Sequence, residues 1–147
     1  VSHAGKKSLV SLCGAAALAG IIIVNGAAVA SSMEPTMAEM QWHRRVLIIS
    51  TPRIDNPDFE TQLQMLAQWR GGEDRDVTVV RIAGLAVTGS RETAKELRDR
   101  YRLATKKFSV ALVGKDGHVA LRSETPLSGA QLEGVIDAMP MRRAGQR

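Results

Sequence analysis

Past residue 42 the apolar positions fall into two alternating patterns, short continuous runs and helical stripes. Val46-Leu47-Ile48-Ile49 is continuous, as in a strand covered on both faces. Asn56-Pro57 supplies an N-cap and a first-turn proline, and Phe59, Leu63, Leu66 and Trp69 share one helical face until Gly71-Gly72 stops the run. A second strand is predicted over 77–82. Next comes a helix capped by Ser90, with Ala94, Leu97 and Tyr101 as its inner stripe. Glu92, Lys95, Glu96, Asp99 and Arg100 form its wet face, where Glu96 and Arg100 stand in the favourable i,i+4 order. Residues 108–113 and 118–122 predict two further strands, joined into a hairpin by the turn Gly114-Lys115-Asp116-Gly117. After Pro126, Ser128 and Gln131 have capping-box spacing. Leu132, Val135, Ile136 and Met139 then repeat at helical intervals up to Pro140.

The element order is β-α-β-α-β-β-α. A strand-helix-strand opening requires parallel pairing through a crossover, and the later hairpin adds antiparallel strands to the same sheet. The expected fold is α/β, a four-stranded mixed sheet of order 2-1-3-4 with helices on both faces. That layout is the thioredoxin core.

The chain ahead of this region is of a different kind. Lys6 and Lys7 are followed by an uncharged stretch from Ser8 to Ala30, and Ala28 and Ala30 occupy A-x-A positions before Ser31. This is the pattern of a secretory signal cleaved between Ala30 and Ser31. The competing reading is an uncleaved inner-membrane anchor, since an uncharged stretch of this length just crosses a bilayer. In either case the N-terminal segment engages the membrane during export. The expected organisation is a signal or anchor over 1–30, a Met-rich linker over 31–41, one domain over 42–143 and a basic tail over 144–147. The 117 residues after position 30 suit a single core. They hold 18 basic and 15 acidic side chains, a modest net +3.

Gly114-Lys115-Asp116-Gly117 with Leu121-Arg122-Ser123, the run from Ile136 to Arg143, and the opening strand after Trp42 together resemble the domain of unknown function 4174 family. The resemblance covers about 42–143. It implies a thioredoxin-like fold and kinship with short exported bacterial proteins and with domains of secreted equarin and sushi-repeat matrix proteins. It implies no assigned activity. Ala120 stands where the resemblance leads one to expect a basic residue.

The single cysteine, Cys13, lies inside the signal, so the exported chain has no thiol and no disulfide. Thioredoxin chemistry needs a thiolate after the first strand and a cis-proline before the third. Those positions read Ser50-Thr51-Pro52-Arg53 and Lys106-Lys107-Phe108. Ser50 and Thr51 are hydroxyls, but a nucleophile needs an adjacent base. Of the two histidines past residue 30, His43 belongs at the far end of the first strand and His118 follows a hairpin turn. Glu73, Asp74 and Asp76 lack calcium-loop spacing and read as a solvated turn. Met33, Met37 and Met40 suit an apolar helical stripe better than a copper site. No catalytic residue, metal or cofactor is expected.

Basic side chains cluster at Arg98, Arg100, Arg102, Lys106 and Lys107, and again at Arg142, Arg143 and Arg147. Without an aromatic stacking platform they do not suggest nucleic-acid binding. The expected function is a redox-inactive binding or adaptor module of the cell envelope, periplasmic or secreted. Its partner would be a protein or an anionic envelope component, met by Thr51, Arg53, Asp55, Lys106 and Lys107. The alternatives are an accessory part of a periplasmic oxidoreductase system and a membrane-anchored structural protein.

Overall fold

The computed structural model describes residues 33–145. The expected signal, its cleavage point at Ala30 and Ser31, Cys13 and Arg147 lie outside the described residues. The elements are α1 (Met37–Met40), β1 (Arg45–Thr51), α2 (Pro57–Gln68), β2 (Val77–Ala83), β3 (Ala86–Thr88), α3 (Ala94–Tyr101), β4 (Ser109–Val113), β5 (Val119–Ser123), α4 (Gly129–Asp137) and α5 (Pro140–Arg143). A 3₁₀ turn over Glu73–Arg75 leads into β2.

These strands form one mixed sheet of order β3-β2-β1-β4-β5, with β1 and β2 parallel and the remaining pairs antiparallel. The expectation of four strands in the order 2-1-3-4 is thereby corrected. The added strand, β3, pairs with the end of β2 at the sheet edge. It is three residues long and carries no hydrophobic period of its own. It forms because Gly84 adopts φ 60 and folds the chain back.

Alternation in β1 divides the core between two layers. Val46 and Ile48 meet Met37, Met40, Leu97 and Tyr101 on one face, the side of α1 and α3. Leu47 and Ile49 meet Phe59, Leu132 and Ile136 on the other, the side of α2 and α4. Every residue of β1 is buried, as its continuous apolar run requires.

The helix starts at α2 and α4 follow the sequence signals. The Asn56 side chain accepts from the backbone N–H groups of Asp58 and Phe59, and Ser128 and Gln131 form a reciprocal capping box. At α3 the cap is Thr93 rather than Ser90, in a capping box with Glu96. Ser90 is buried and its hydroxyl accepts from the Glu92 N–H. With Glu96 committed to the cap, Arg100 pairs with Glu92, and the i,i+4 pair on this helix is Lys95–Asp99. The region expected as a linker is also corrected from Thr36 onward. Thr36 and Glu39 cap α1, which buries Met37 and Met40 in the core while Met33 stays exposed.

Candidate functional site

The antiparallel register sets Ser50 opposite Ser109, so the loop after β1 and the loop before β4 emerge at one end of the sheet. Thr51 ends β1, Arg53 and Asp55 follow it, and Lys106 and Lys107 lie in the loop before β4. The side chains, however, engage local partners. Thr51 is buried, and its hydroxyl donates to the Arg53 carbonyl at 2.9 Å. Arg53 and Asp55 form a two-pronged pair in solvent, Nε to Oδ1 at 2.9 Å and Nη2 to Oδ2 at 2.7 Å. The Arg53 hydrogen bond holds the Asp55 carboxyl below its ordinary pKa. Lys107 turns to Glu124, beyond β5, and Lys106 is exposed. The structure brings together Thr51, Arg53 and Asp55, and sends Lys107 the other way.

Sequence reasoning placed Arg98 in a basic surface cluster. It is in fact buried at this same end of the sheet. Its Nε donates to Ser50 Oγ at 3.0 Å, Nη1 to the Gly84 carbonyl at 2.6 Å and Nη2 to the Thr51 carbonyl at 2.9 Å. One guanidinium therefore fastens α3 to the end of β1 and to the β2–β3 turn. Burial lowers its pKa, from a starting value high enough to leave it charged. A signal was present in the spacing: Ala94, Leu97, Arg98 and Tyr101 lie on one helical face, and all four are buried.

Two apolar side chains are left in solvent around this frame. Ile54, in the loop after β1, is 76% exposed, and Leu85, at the β2–β3 turn, is 89% exposed. Their loops adjoin: the Gly84 N–H donates to the Thr51 carbonyl at 3.0 Å.

The opposite end of the sheet holds a denser charge network, and it includes Asp76, which the sequence placed in a solvated turn and which instead pairs with the buried Lys115. Asp76 takes a left-handed conformation at the start of β2 and accepts from Lys115 Nζ at 2.8 Å. That bond keeps the Asp76 carboxyl below its ordinary pKa. The Asp76 carbonyl accepts the Arg45 N–H, and the Arg45 side chain is buried with Nη1 on the Arg75 carbonyl. Arg75 in turn binds Asp137 through two bonds.

Both described histidines, His43 and His118, are exposed. His43 precedes β1, and the seven residues of β1 separate it from the loop after Thr51 by about 20 Å of extended chain. His118 lies 3.4 Å from Asp116 at the hairpin turn. Among the described residues, no three His, Cys, Asp or Glu side chains group as metal ligands, and no helix is long and apolar enough to cross a membrane.

The sequence matches the profile of a domain of unknown function (DUF4174) over residues 36–145. Coiled-coil domain-containing protein 80 of Danio rerio is 27% identical over 135 residues, which cover 76% of this chain and 16% of that protein. Sushi repeat-containing protein SRPX is 34% identical in Homo sapiens and 36% in Rattus norvegicus, in each case over 68% of this chain and 24% of the relative. The chain thus spans less than a quarter of the length of these relatives. No solved structure matches it. The profile match runs through every described strand and helix, and the chain belongs to the DUF4174 family.

Proposed function

We propose that this chain is an exported, redox-inactive module of thioredoxin-like fold that binds a protein partner in the cell envelope. The observation that carries this reading is the exposure of Ile54 and Leu85 on adjoining loops at the end of the sheet. Large apolar side chains presented from a braced frame, with a polar rim, have the anatomy of a small interface centre. Arg53–Asp55, flanking Ile54 in sequence, supplies a polar rim. Arg98 supplies the brace, because its three bonds hold both loops at their roots.

Binding is favoured over chemistry because the two hydroxyls at the end of β1 are already engaged. The Thr51 hydroxyl is spent on the Arg53 carbonyl, and the Ser50 hydroxyl accepts from Arg98, a cation that offers no base. The thioredoxin-like reading is supported by the parallel β1–β2 pair, the β4–β5 hairpin and the helices on both faces. Export is supported by the pattern of residues 1–30. That the relatives contain a matching stretch within much longer chains is consistent with a portable module.

The test is cross-linked capture from the native envelope with the full chain, beside a variant carrying Ile54→Glu and Leu85→Glu. Both side chains are exposed, so the variant is expected to fold normally and lose the partner. Equal capture by both chains would overturn the docking surface. Insulin reduction or peroxide consumption by the purified chain would overturn the redox-inactive half of the proposal.

A further inference from the structure

A second site lies at the other end of the sheet and rests on different residues. A cavity of about 260 Å³ opens there between the β4–β5 turn and the start of α5. Arg45 and Lys115, both buried, form its cationic lining. Val119, Met139, Pro140 and Met141 supply apolar walls, and the exposed Asp116 and His118 stand at its mouth.

Arg45 is the unusual member. It is 1% exposed, and among the described residues its side chain makes one hydrogen bond, to a neutral group, the Arg75 carbonyl at 2.8 Å. Its Nε has no hydrogen-bond partner. A buried donor left without an acceptor is costly, and a buried cation without a directly bonded anion more so. The surrounding basic and acidic side chains balance in number, Arg44, Arg45, Arg75, Lys115 and Arg142 against Asp74, Asp76, Asp116, Glu133 and Asp137, but among the described residues no hydrogen bond joins any of these carboxylates to Arg45. Burial, with Arg142 and Arg75 adding to it, depresses the Arg45 pKa, and Asp76 and Asp137 offset this only in part.

We propose that this cavity binds a small organic monocarboxylate, whose carboxylate supplies the acceptor that Arg45 lacks. Lys115, held by Asp76, adds favourable field without needing to leave its partner. A guanidinium fork matches a planar carboxylate in geometry. With the surrounding charges balanced, a monoanion is accommodated more readily than a doubly charged phosphate, which Asp116 at the mouth would further repel. The methionines and Val119 meet the apolar part of the acid. A cavity of about 260 Å³ has room for a short-chain acid such as butyrate or isovalerate. Met139 and Met141 line the same cavity as Arg45, and their flexible thioether side chains can adjust as the acid enters.

The experiment is calorimetric titration of the full chain with butyrate and isovalerate, with inorganic phosphate as the comparison anion, and thermal unfolding in each solution. The expected result is saturable binding of the two acids, a raised Tm in their presence and no comparable effect of phosphate. Arg45→Met is expected to weaken binding by at least ~10-fold. Because Arg45 is deeply buried, Met141→Glu serves as the second variant. It leaves Arg45 in place, sets a carboxylate in the cavity wall and is expected to weaken binding to the same degree. Absence of saturable binding, phosphate binding as tight as that of the acids, or unchanged affinity in the Met141→Glu chain would each overturn the proposal.

Discussion

Gln62 and Leu127 exchange two hydrogen bonds in the core: the Gln62 amide donates to the Leu127 carbonyl at 2.9 Å and accepts the Leu127 N–H at 2.7 Å. The side chain thus pairs with a strand-like backbone unit in the segment before α4, and both partners are buried. Replacing Gln62 by Leu keeps the volume but strands one donor and one acceptor. A loss of about 2–4 kcal/mol is expected, since each unsatisfied buried group costs ~1–3 kcal/mol. Urea unfolding of the two chains checks it, and a loss below 1 kcal/mol would show that water or backbone relaxation replaces the bonds.

Asp76 and Lys115 give the fold an acid-sensitive joint. The folded Asp76 pKa lies below its unfolded value because Lys115 donates to the ionised carboxylate. Its contribution is therefore complete above the ordinary aspartate pKa of ~3.9 and is lost as the pH falls through the lower, folded value. Asp76→Asn tests this without disturbing the left-handed backbone, which asparagine tolerates. With Lys115 buried and Asp76 partly exposed, the variant should lose about 1–3 kcal/mol near neutral pH, between the surface-pair and buried-pair ranges. The gap should narrow as the pH is lowered below 4. A constant gap down to pH 2 would remove the charge from the explanation.

Arg98 predicts a difference between two substitutions. Arg98→Met fills much of the space but takes the Arg98 donor from the Gly84 carbonyl and the Ser50 hydroxyl, while the Thr51 carbonyl keeps the Gly84 N–H, at a cost of about 2–4 kcal/mol. Arg98→Lys retains the charge, yet an ammonium does not reproduce the planar fork that reaches three acceptors at once. It should recover less than half of the loss. Amide exchange around Gly84 and Thr51 is the specific readout, because the lost bonds root those loops.

Two glycines should respond to alanine in opposite directions. Gly89 has φ 90, and a Cβ there would sit 2.4 Å from the Val79 carbonyl oxygen, so Gly89→Ala is expected to cost about 2 kcal/mol or more. Gly134 lies within α4 with nothing within 4 Å of an added Cβ. Gly134→Ala should stabilise by about 0.5–1 kcal/mol through helix propensity alone. Thermal unfolding of both variants supplies the comparison.

The legibility of the fold followed the strength of each periodic signal. β1 is buried on both faces and its apolar run is continuous, and the caps Asn56 and Ser128 stand directly before apolar stripes. β3 was missed because Ala86, Val87 and Thr88 are too few to show a period. They become a strand only by pairing with Arg81, Ile82 and Ala83. The α3 cap was misplaced because Ser90 and Thr93 are equally good caps by composition, and only packing assigns Ser90 to the interior. At the candidate site, the end of the sheet followed from element order, but side-chain pairing did not. Nothing local in Lys107 announces Glu124, and nothing in Arg45 announces burial. Such contacts are made by residues distant in sequence, and a pattern read along the chain does not carry them.

The attachment of α1 bears on how the molecule responds to pulling. The Met37 N–H donates to Glu92 at 2.7 Å, Glu34 accepts the Gly89 N–H at 2.8 Å, and the Trp42 N–H donates to the Lys115 carbonyl at 2.6 Å. Tension applied at Met33 would meet these contacts one after another and peel α1 away before any load reached β1. The centre of the sheet is thus shielded by a sacrificial fastening. A domain tethered through this side would yield first at its margin, giving up Met37 and Met40 from one core layer while the sheet stays paired and ready to re-seat α1 when the force falls.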